Sequence, residues 1–275
     1  MSLDKNLQEK IRKANLSLHK YEAKYYELIH PEIYNQHEQN RLLSTLKKAN
    51  ELILYPPNRR VKMALDFGAG TGNVTGKLLN MGFHVTAVDL SVEMCTILKK
   101  KYSDYVKLKK LVVVNSAVED LIFEKESFDL ITCYSVLHHL PDYVVAVRNL
   151  SGFLRKGGVM YLDHEISPFY WEPEPHMVAN LLKFVYLYLN PVFNSLYFRL
   201  MGLKLPSLDY ELSDYWYAKN HHIVHKKIKK VFEEQTYEHF ERHDYHLRRG
   251  LFLNSFFILY KYICRPETSL WLAKK

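Results

Sequence analysis

The stretch DFGAGTG, from Asp66 to Gly72, sets a carboxylate at the end of an apolar run and glycines at alternate positions after it. Glycines at 68, 70 and 72 remove Cβ atoms where the backbone must turn sharply, and they let a ligand approach bare main chain. A second carboxylate, Asp89, ends the next apolar run. There it can accept hydrogen bonds from both hydroxyls of a ribose, while Asp66 can meet a cationic amino group directly or through water. The dinucleotide pattern G-x-G-x-x-G is not met: its last glycine falls on Asn73 counting from Gly68, and on Thr75 counting from Gly70. Further on, YSVLHHLPD carries adjacent histidines, His138 and His139. An imidazole titrates near neutrality, so either could serve as a general base.

These residues need elements to hold them. Val61 to Phe67 reads as a buried strand, Asn73 to Met81 as a helix with Gly82 at its C-cap, and His84 to Asp89 as a second strand. Ser91 is an N-cap with Glu93 in the first turn of the next helix. Leu108 to Asn115 is a β-branched run that reads as a fully buried third strand. Phe128 to Tyr134 is a fourth strand. Asp142 caps a helix that Gly157-Gly158 ends before a fifth strand, Val159 to Asp163. In an open α/β sheet the glycine loop and the loop after strand four both lie at carboxyl ends, where ligands bind.

Four segments in order, DFGAGTG, VDLS, ESFDLITCYSVLHHLPD and NLSGFLRKGGVMYL, resemble those of class I S-adenosylmethionine (SAM) dependent methyltransferases, with the small-molecule and quinone or lipid branch nearest. The resemblance spans Val61 to His164. It implies a Rossmann-like, doubly wound α/β sheet of seven strands with the last antiparallel, an N-terminal helical lid and a helical cap inserted after strand five. The expected divisions are 1–57 (lid), 58–164 (SAM-binding core), 165–217 (cap) and 218–275 (a helix and strands completing the sheet). It also implies SAM as cofactor and S-adenosylhomocysteine as product. Gly68, Ala69, Gly70, Thr71, Gly72 and Asn73 would hold the methionine end with Asp66, and Asp89 the ribose. Leu90 and Met94 would wall the adenine, bracketed by backbone at Ala117 and Val118, and Tyr134 and Ser135 would touch the methionine moiety. Relatives commonly place an acid just after strand three; here Ser116 and Ala117 stand there. Histidines in such a loop also serve to close it, which competes with catalysis for His138 and His139.

Leu7 to Leu54 reads as helical with a break near Pro31. Tyr25, Tyr26, His30 and Tyr34 are candidate lid residues, packing on the sheet being the competing reading. After strand five, Tyr170 and Trp171 open an aromatic stretch suited to a bulky or greasy acceptor. Val178 to Leu203 is long enough for a span of about 20 residues. Its Asn190-Pro191 break instead favours two short helices, over a pocket or in a bilayer interface. In the tail, HKKIKKVFEEQ reads as an amphipathic helix, EHFERHDYHL as a sixth strand and FFILYKYI as a seventh. His221, His222 and His225 lack partners for a metal.

At 275 residues with a formal net charge of +8, the chain is long enough for a large core. Three widely spaced cysteines point to a reducing cytosolic compartment and no metal. The first residues lack the apolar stretch of a secretory signal. Lysine runs suit a solvated face or an anionic membrane surface, and no nucleic-acid module accompanies them. The expected activity is SN2 methyl transfer to a small, hydrophobic or aromatic acceptor, with peripheral membrane contact as a competing partner reading. A catalytically silent SAM-binding regulatory subunit, a methyltransferase acting on membrane-embedded lipid or quinone, and an NAD-dependent oxidoreductase are the alternatives. The oligomeric state is left open.

Overall fold

The computed structural model describes residues 3–23, 26, 30, 33, 35–58, 61–189, 210–218, 221–247 and 254–275. Tyr25 and Tyr34 lie outside the described residues. Two helices come first, α1 (Lys5–Glu22), capped by Asp4, and α2 (Gln36–Leu52), capped by Asn35. Five strands follow with helices between them: β1 (Lys62–Phe67), α3 (Asn73–Asn80), β2 (Phe83–Asp89), α4 (Val92–Lys101), α5 (Ser103–Lys107), β3 (Leu111–Asn115), β4 (Phe128–Tyr134), α6 (Tyr143–Phe153) and β5 (Leu154–Ile166). The cap contributes α7 (Met177–Phe184), continued by a wider turn over Val185–Leu189, and α8 (Tyr210–Ser213). Then come α9 (His225–Glu234), β6 (His239–Tyr245), α10 (Asn254–Ile263) and β7 (Thr268–Lys274).

The seven strands form one sheet in the order β3-β2-β1-β4-β5-β7-β6. Pairing is parallel from β3 through β5, and β7 runs antiparallel to both β5 and β6. This is the doubly wound, seven-stranded arrangement with an antiparallel last strand. One apolar layer joins β4 and β5 to α6 and α9, and the other joins β1 and β2 to α2 and α3. The chain reverses its strand order between β1 and β4, so the crevice at their carboxyl ends is the switch point.

Three sequence expectations are corrected. β3 is the edge of the sheet, with Val112 exposed and Val113 and Val114 half-buried, because among the described residues none pairs with its outer side. A β-branched run therefore marked strand identity here and not full burial. Gly157 and Gly158 do not end α6. They lie inside β5, where the register against β4 shifts between Phe128 and Leu130. A Cβ on Gly158 would stand 2.9 Å from the Asp129 carbonyl, so the glycine admits the neighbouring strand. FFILYKYI is part of helix α10, and the seventh strand is the following TSLWLAK. The inward residues of α10, Phe257 and Tyr260, pack with Ala179, Leu182 and Tyr186 of the cap.

α2 is fastened to the sheet by a buried charge cluster. Arg41 donates to Asp163 on β5 through both Nη atoms at 3.1 Å and to Glu38 through Nε at 2.9 Å. Asp163 also accepts from the hydroxyls of Tyr161 and Tyr245 and from the His164 N–H. The Arg41 guanidinium lies 3.9 Å over the Tyr245 ring. Burial, and then the Asp163 charge, holds the Tyr161 and Tyr245 phenols well above their usual range, so both remain donors.

Candidate active site

At the carboxyl end of β1 the backbone enters the left-handed region three times, with φ of +71° at Gly68, +52° at Gly70 and +90° at Gly72. At Gly68 a side chain is also sterically excluded: its Cβ would come within 2.1 Å of Val136 Cγ2. The loop thus packs directly on the segment that follows β4. The Gly70 N–H donates to Asp89 Oδ2 at 2.7 Å, and the Ser91 N–H to Oδ1 at 2.9 Å. Asp89 therefore joins the glycine loop to the start of α4. Burial raises its pKa and these two amide hydrogen bonds counter the rise.

Asp66 sits beneath the loop, 1 % exposed. Its oxygens accept from Thr75 Oγ1 at 2.5 Å and Thr132 Oγ1 at 2.8 Å. Burial pushes its pKa up to about 6, against the opposing effect of both hydroxyls.

A cleft opens beside this loop. One wall is Asp89, Leu90 and Met94, another is Ser116 to Glu119, and a third runs from Tyr134 to Val136 and on through His139, Leu140 and Pro141. α1 supplies the roof with Arg12, Asn15 and His19. A second lobe is lined by Asp66, Ala69, Thr71, Asn73 and Ile33 among others. Tyr26, Gly68, Gly70, Tyr134 and Ser135 border both lobes. The Tyr26 ring faces Gly70, 3.8 Å from where a Cβ would stand, and leans on His30 with ring centroids 4.2 Å apart.

The loop after β4 is shaped by a residue not singled out from sequence, Glu165 on β5. Its Oε1 accepts from the N–H groups of Val136 at 3.1 Å and Leu137 at 2.8 Å, and its Oε2 lies 2.8 Å from His138 Nδ1. Ser135 stands just before this clamp at φ +58°, a strained value for a residue other than glycine. His138 is buried by the clamp and is absent from both linings.

His139 lines the larger lobe. Its Nδ1 is 2.9 Å from the Ser213 carbonyl and 3.2 Å from Asp214 Oδ1. Burial alone would depress the imidazolium, but the Asp214 carboxylate and the Ser213 carbonyl outweigh it, so its pKa is raised. The reciprocal interaction lowers the Asp214 carboxyl against its own burial. Asn15 Nδ2 donates to the His139 carbonyl at 2.8 Å, and the His19 ring meets the His139 ring edge-on at 5.1 Å. His19 is pushed down to about 3, first by burial and then by the neighbouring His139. α1 thus brings a neutral ring against a chargeable one.

Ligand atoms of His138, His139 and Asp214 come within 4.8 Å of one another, a trio drawn from two distant segments that spacing could not reveal. His138 is engaged by Glu165 and His139 by Asp214. Tyr170 and Trp171 pack on each other and on Tyr217 inside the cap, away from the walls of both lobes. His225 is buried, its Nε2 on the Ile166 carbonyl and its Nδ1 accepting from Trp271, which fills both ring nitrogens. Arg12, Asn15, His19, Glu119, Glu165 and Asp214 are the functional candidates that the sequence did not mark. Only Glu119 carried a local sign, as an acid three positions past Ser116.

Strand order, glycine loop and the acid ending β2 agree with the arrangement that the resemblance to class I methyltransferases implies. Residues 65–162 match the family described as a methyltransferase domain. Among curated proteins the chain is similar to ubiquinone biosynthesis O-methyltransferases. That of Xanthomonas campestris pv. campestris (strain B100) is 34 % identical over 111 residues, covering 39 % of this chain and 43 % of that protein. That of Xanthomonas axonopodis pv. citri (strain 306) is 34 % identical over 114 residues, covering 40 % and 44 %. The chain therefore spans less than half the length of these relatives. Among solved structures, Haemonchus contortus phosphoethanolamine N-methyltransferase 2 with SAM aligns with a TM-score of 0.55 at 14 % identity, covering 90 % of this chain and 56 % of that one. A SAM-dependent methyltransferase described as putative, from Methanococcus maripaludis, aligns with a TM-score of 0.52 at 15 % identity, covering 100 % and 97 %. At such identities these two likenesses concern the fold.

Proposed function

We propose that the chain transfers a methyl group from SAM to a small, hydrophobic or aromatic acceptor, with a hydroxyl as the methylated group. The observation that carries this reading is a single cleft uniting the glycine loop, Asp89 and a carboxylate-paired His139. Naming of the curated relatives as O-methyltransferases supports oxygen as the acceptor atom.

The bare backbone at Gly68 and Gly70 fits the methionine end of SAM, with Asp66 below to balance an ammonium. Asp89 fits the ribose, and Leu90, Met94, Ala117 and Val118 fit a flat base. Bound there, SAM supplies a sulfonium-activated methyl group. The protein then needs alignment, exclusion of water and a place for the acceptor's proton. With Nδ1 donating to Ser213 and Asp214, the neutral His139 ring presents Nε2 as an acceptor. In that chemistry Nε2 of His139 would take the acceptor's hydroxyl proton, and Asp214 would stabilise the resulting imidazolium. His138, held by Glu165, positions this loop. In this reading α1 is the lid, and the described residues of 165–217 form a cap that delivers Asp214.

The test is calorimetric titration with S-adenosylhomocysteine, with NADH as control, followed by a screen of phenolic and quinol acceptors. S-adenosylhomocysteine alone should bind in the micromolar range. Asp89→Asn should weaken it by about 1–3 kcal/mol, the scale of lost charge-assisted hydrogen bonds. Tight NADH binding, or unchanged affinity in the variant, would sink the assignment.

A further inference from the structure

Among the described residues Lys77 is an ammonium with no carboxylate against it. It lies in the last turn of α3, from where its stem could carry the charge into water. Instead Nζ reaches back one turn, donating to Asn73 Oδ1 at 2.9 Å and to the Asn73 carbonyl at 3.3 Å, and across to Gln39 Oε1 on α2. All three partners are neutral oxygens. Arg41, Arg155 and Lys183, by contrast, pair with the buried carboxylates of Asp163, Asp129 and Glu174. Burial, and then the Lys101 charge of α4, lowers the Lys77 pKa to about 8. A partly buried charge is normally matched by an opposite one, so this ammonium points to an anion that arrives with a ligand.

The contact with Asn73 fixes how that side chain is turned. An ammonium only donates, so the end of the Asn73 carboxamide against Nζ must be its oxygen. Nδ2 is then the opposite end, buried and with no hydrogen-bond partner among the described residues. Leaving a buried donor unpaired is unfavourable, and the bond to Lys77 prevents the carboxamide from turning over to avoid it. Asn73 lines the second lobe together with Asp66, Thr71 and Tyr26. The lobe thus combines a carboxylate whose pKa burial has raised with an unpaired donor backed by a cation whose pKa burial has lowered. A zwitterion answers both, its ammonium restoring the Asp66 charge and its carboxylate taking the donor.

We propose that Lys77 is a positioning residue of the cofactor site: fastened by Gln39, it turns the Asn73 carboxamide so that Nδ2 donates to the carboxylate of the SAM methionine moiety. It also holds a positive charge one contact away from that carboxylate. The assignment rests on the methyl-transfer reading for the identity of the ligand. Through Gln39 it ties α2 to the helix that follows the glycine loop. The helix that Arg41 fastens to β5 therefore also braces the donor for the cofactor's carboxylate.

The experiment is calorimetric titration of the full chain with S-adenosylhomocysteine and with its decarboxylated analogue, which keeps the adenosine, the sulfur and the ammonium and lacks only the carboxylate. Lys77→Met should weaken the first by about tenfold and leave the second within about twofold. Asn73→Asp keeps an oxygen before Nζ and puts negative charge where Nδ2 stands. It should weaken S-adenosylhomocysteine at least as much and again spare the analogue, and it reads the same contact should Lys77→Met fail to fold. Equal losses for the two ligands in Lys77→Met would make this lysine a brace between helices and overturn the proposal, as would unchanged S-adenosylhomocysteine affinity. Wild type that binds both ligands equally also overturns it and leaves the cofactor reading standing. Wild type that binds neither defeats that reading and this assignment with it.

Discussion

Asp66 carries a charge that its surroundings disfavour. Its pKa, raised by burial from 3.8 to about 6 in the folded chain, lies above the unfolded value. Such a group contributes stability that is fully present below the unfolded pKa and lost as pH rises through the folded one. Ligand-free Asp66→Asn should therefore be more stable than wild type at pH about 7.5, by on the order of 2–3 kcal/mol, with the difference closing below about pH 4. Urea midpoints at the two pH values measure it, and a pH-independent difference would refute the role given to burial. The same variant should bind S-adenosylhomocysteine more weakly, because the ammonium of that ligand loses its counter-charge. At His139 the sign is opposite in origin. Asp214 on the cap raises it, while the tilted ring of the adjacent His138 lies at 4.1 Å and the His19 ring of α1 at 5.1 Å. In Asp214→Asn burial should dominate, so the His139 resonances should titrate below the ordinary imidazole value instead of above it. An unshifted NMR titration would show that Asp214 does not control this ring.

At the scale of elements, the two N-terminal helices have different attachments. α1 reaches the site through Asn15 and His19, whereas α2 is bound to β5 by the Arg41 cluster, buried among Glu38, Asp163, Tyr161 and Tyr245. Arg41→Met would leave both carboxylates without their cation and should lower unfolding stability by about 3–5 kcal/mol, as when one partner of a buried pair is removed. A loss below about 1 kcal/mol in urea unfolding would mean the cluster behaves as a surface pair. What was legible in the sequence follows a physical pattern. β1, β2 and β4 combine largely apolar runs with clear punctuation by glycine, Ser91 and Asp142, so local signals agreed with the fold. FFILYKYI misled because a short apolar run rich in aromatics has no period that separates strand from buried helix. α10 is helical because the cap offers Phe257 and Tyr260 a partner one helical turn apart, a tertiary fact. TSLWLAK, every residue but the last buried, was too short to stand out.

For the whole molecule, the loops that lie at the carboxyl ends of consecutive strands were readable because each is local in sequence. The roof and the cap were not. Asn15 meets the His139 carbonyl across 124 residues, and His139 meets Ser213 across 74, and no periodicity encodes either contact. The position of β7 has a consequence for how the chain reaches its structure. Among the described residues β6 pairs with β7 alone, and β7 must enter between β5 and β6 after both exist. The sheet therefore cannot close in the order of synthesis. Until β7 inserts, β5 presents an open edge and β6 is an unattached ribbon, so the nascent protein carries its greatest risk of mispairing late. A lesion in Thr268–Lys274 would detach two strands at once, while an equal lesion in β3 would remove only an edge.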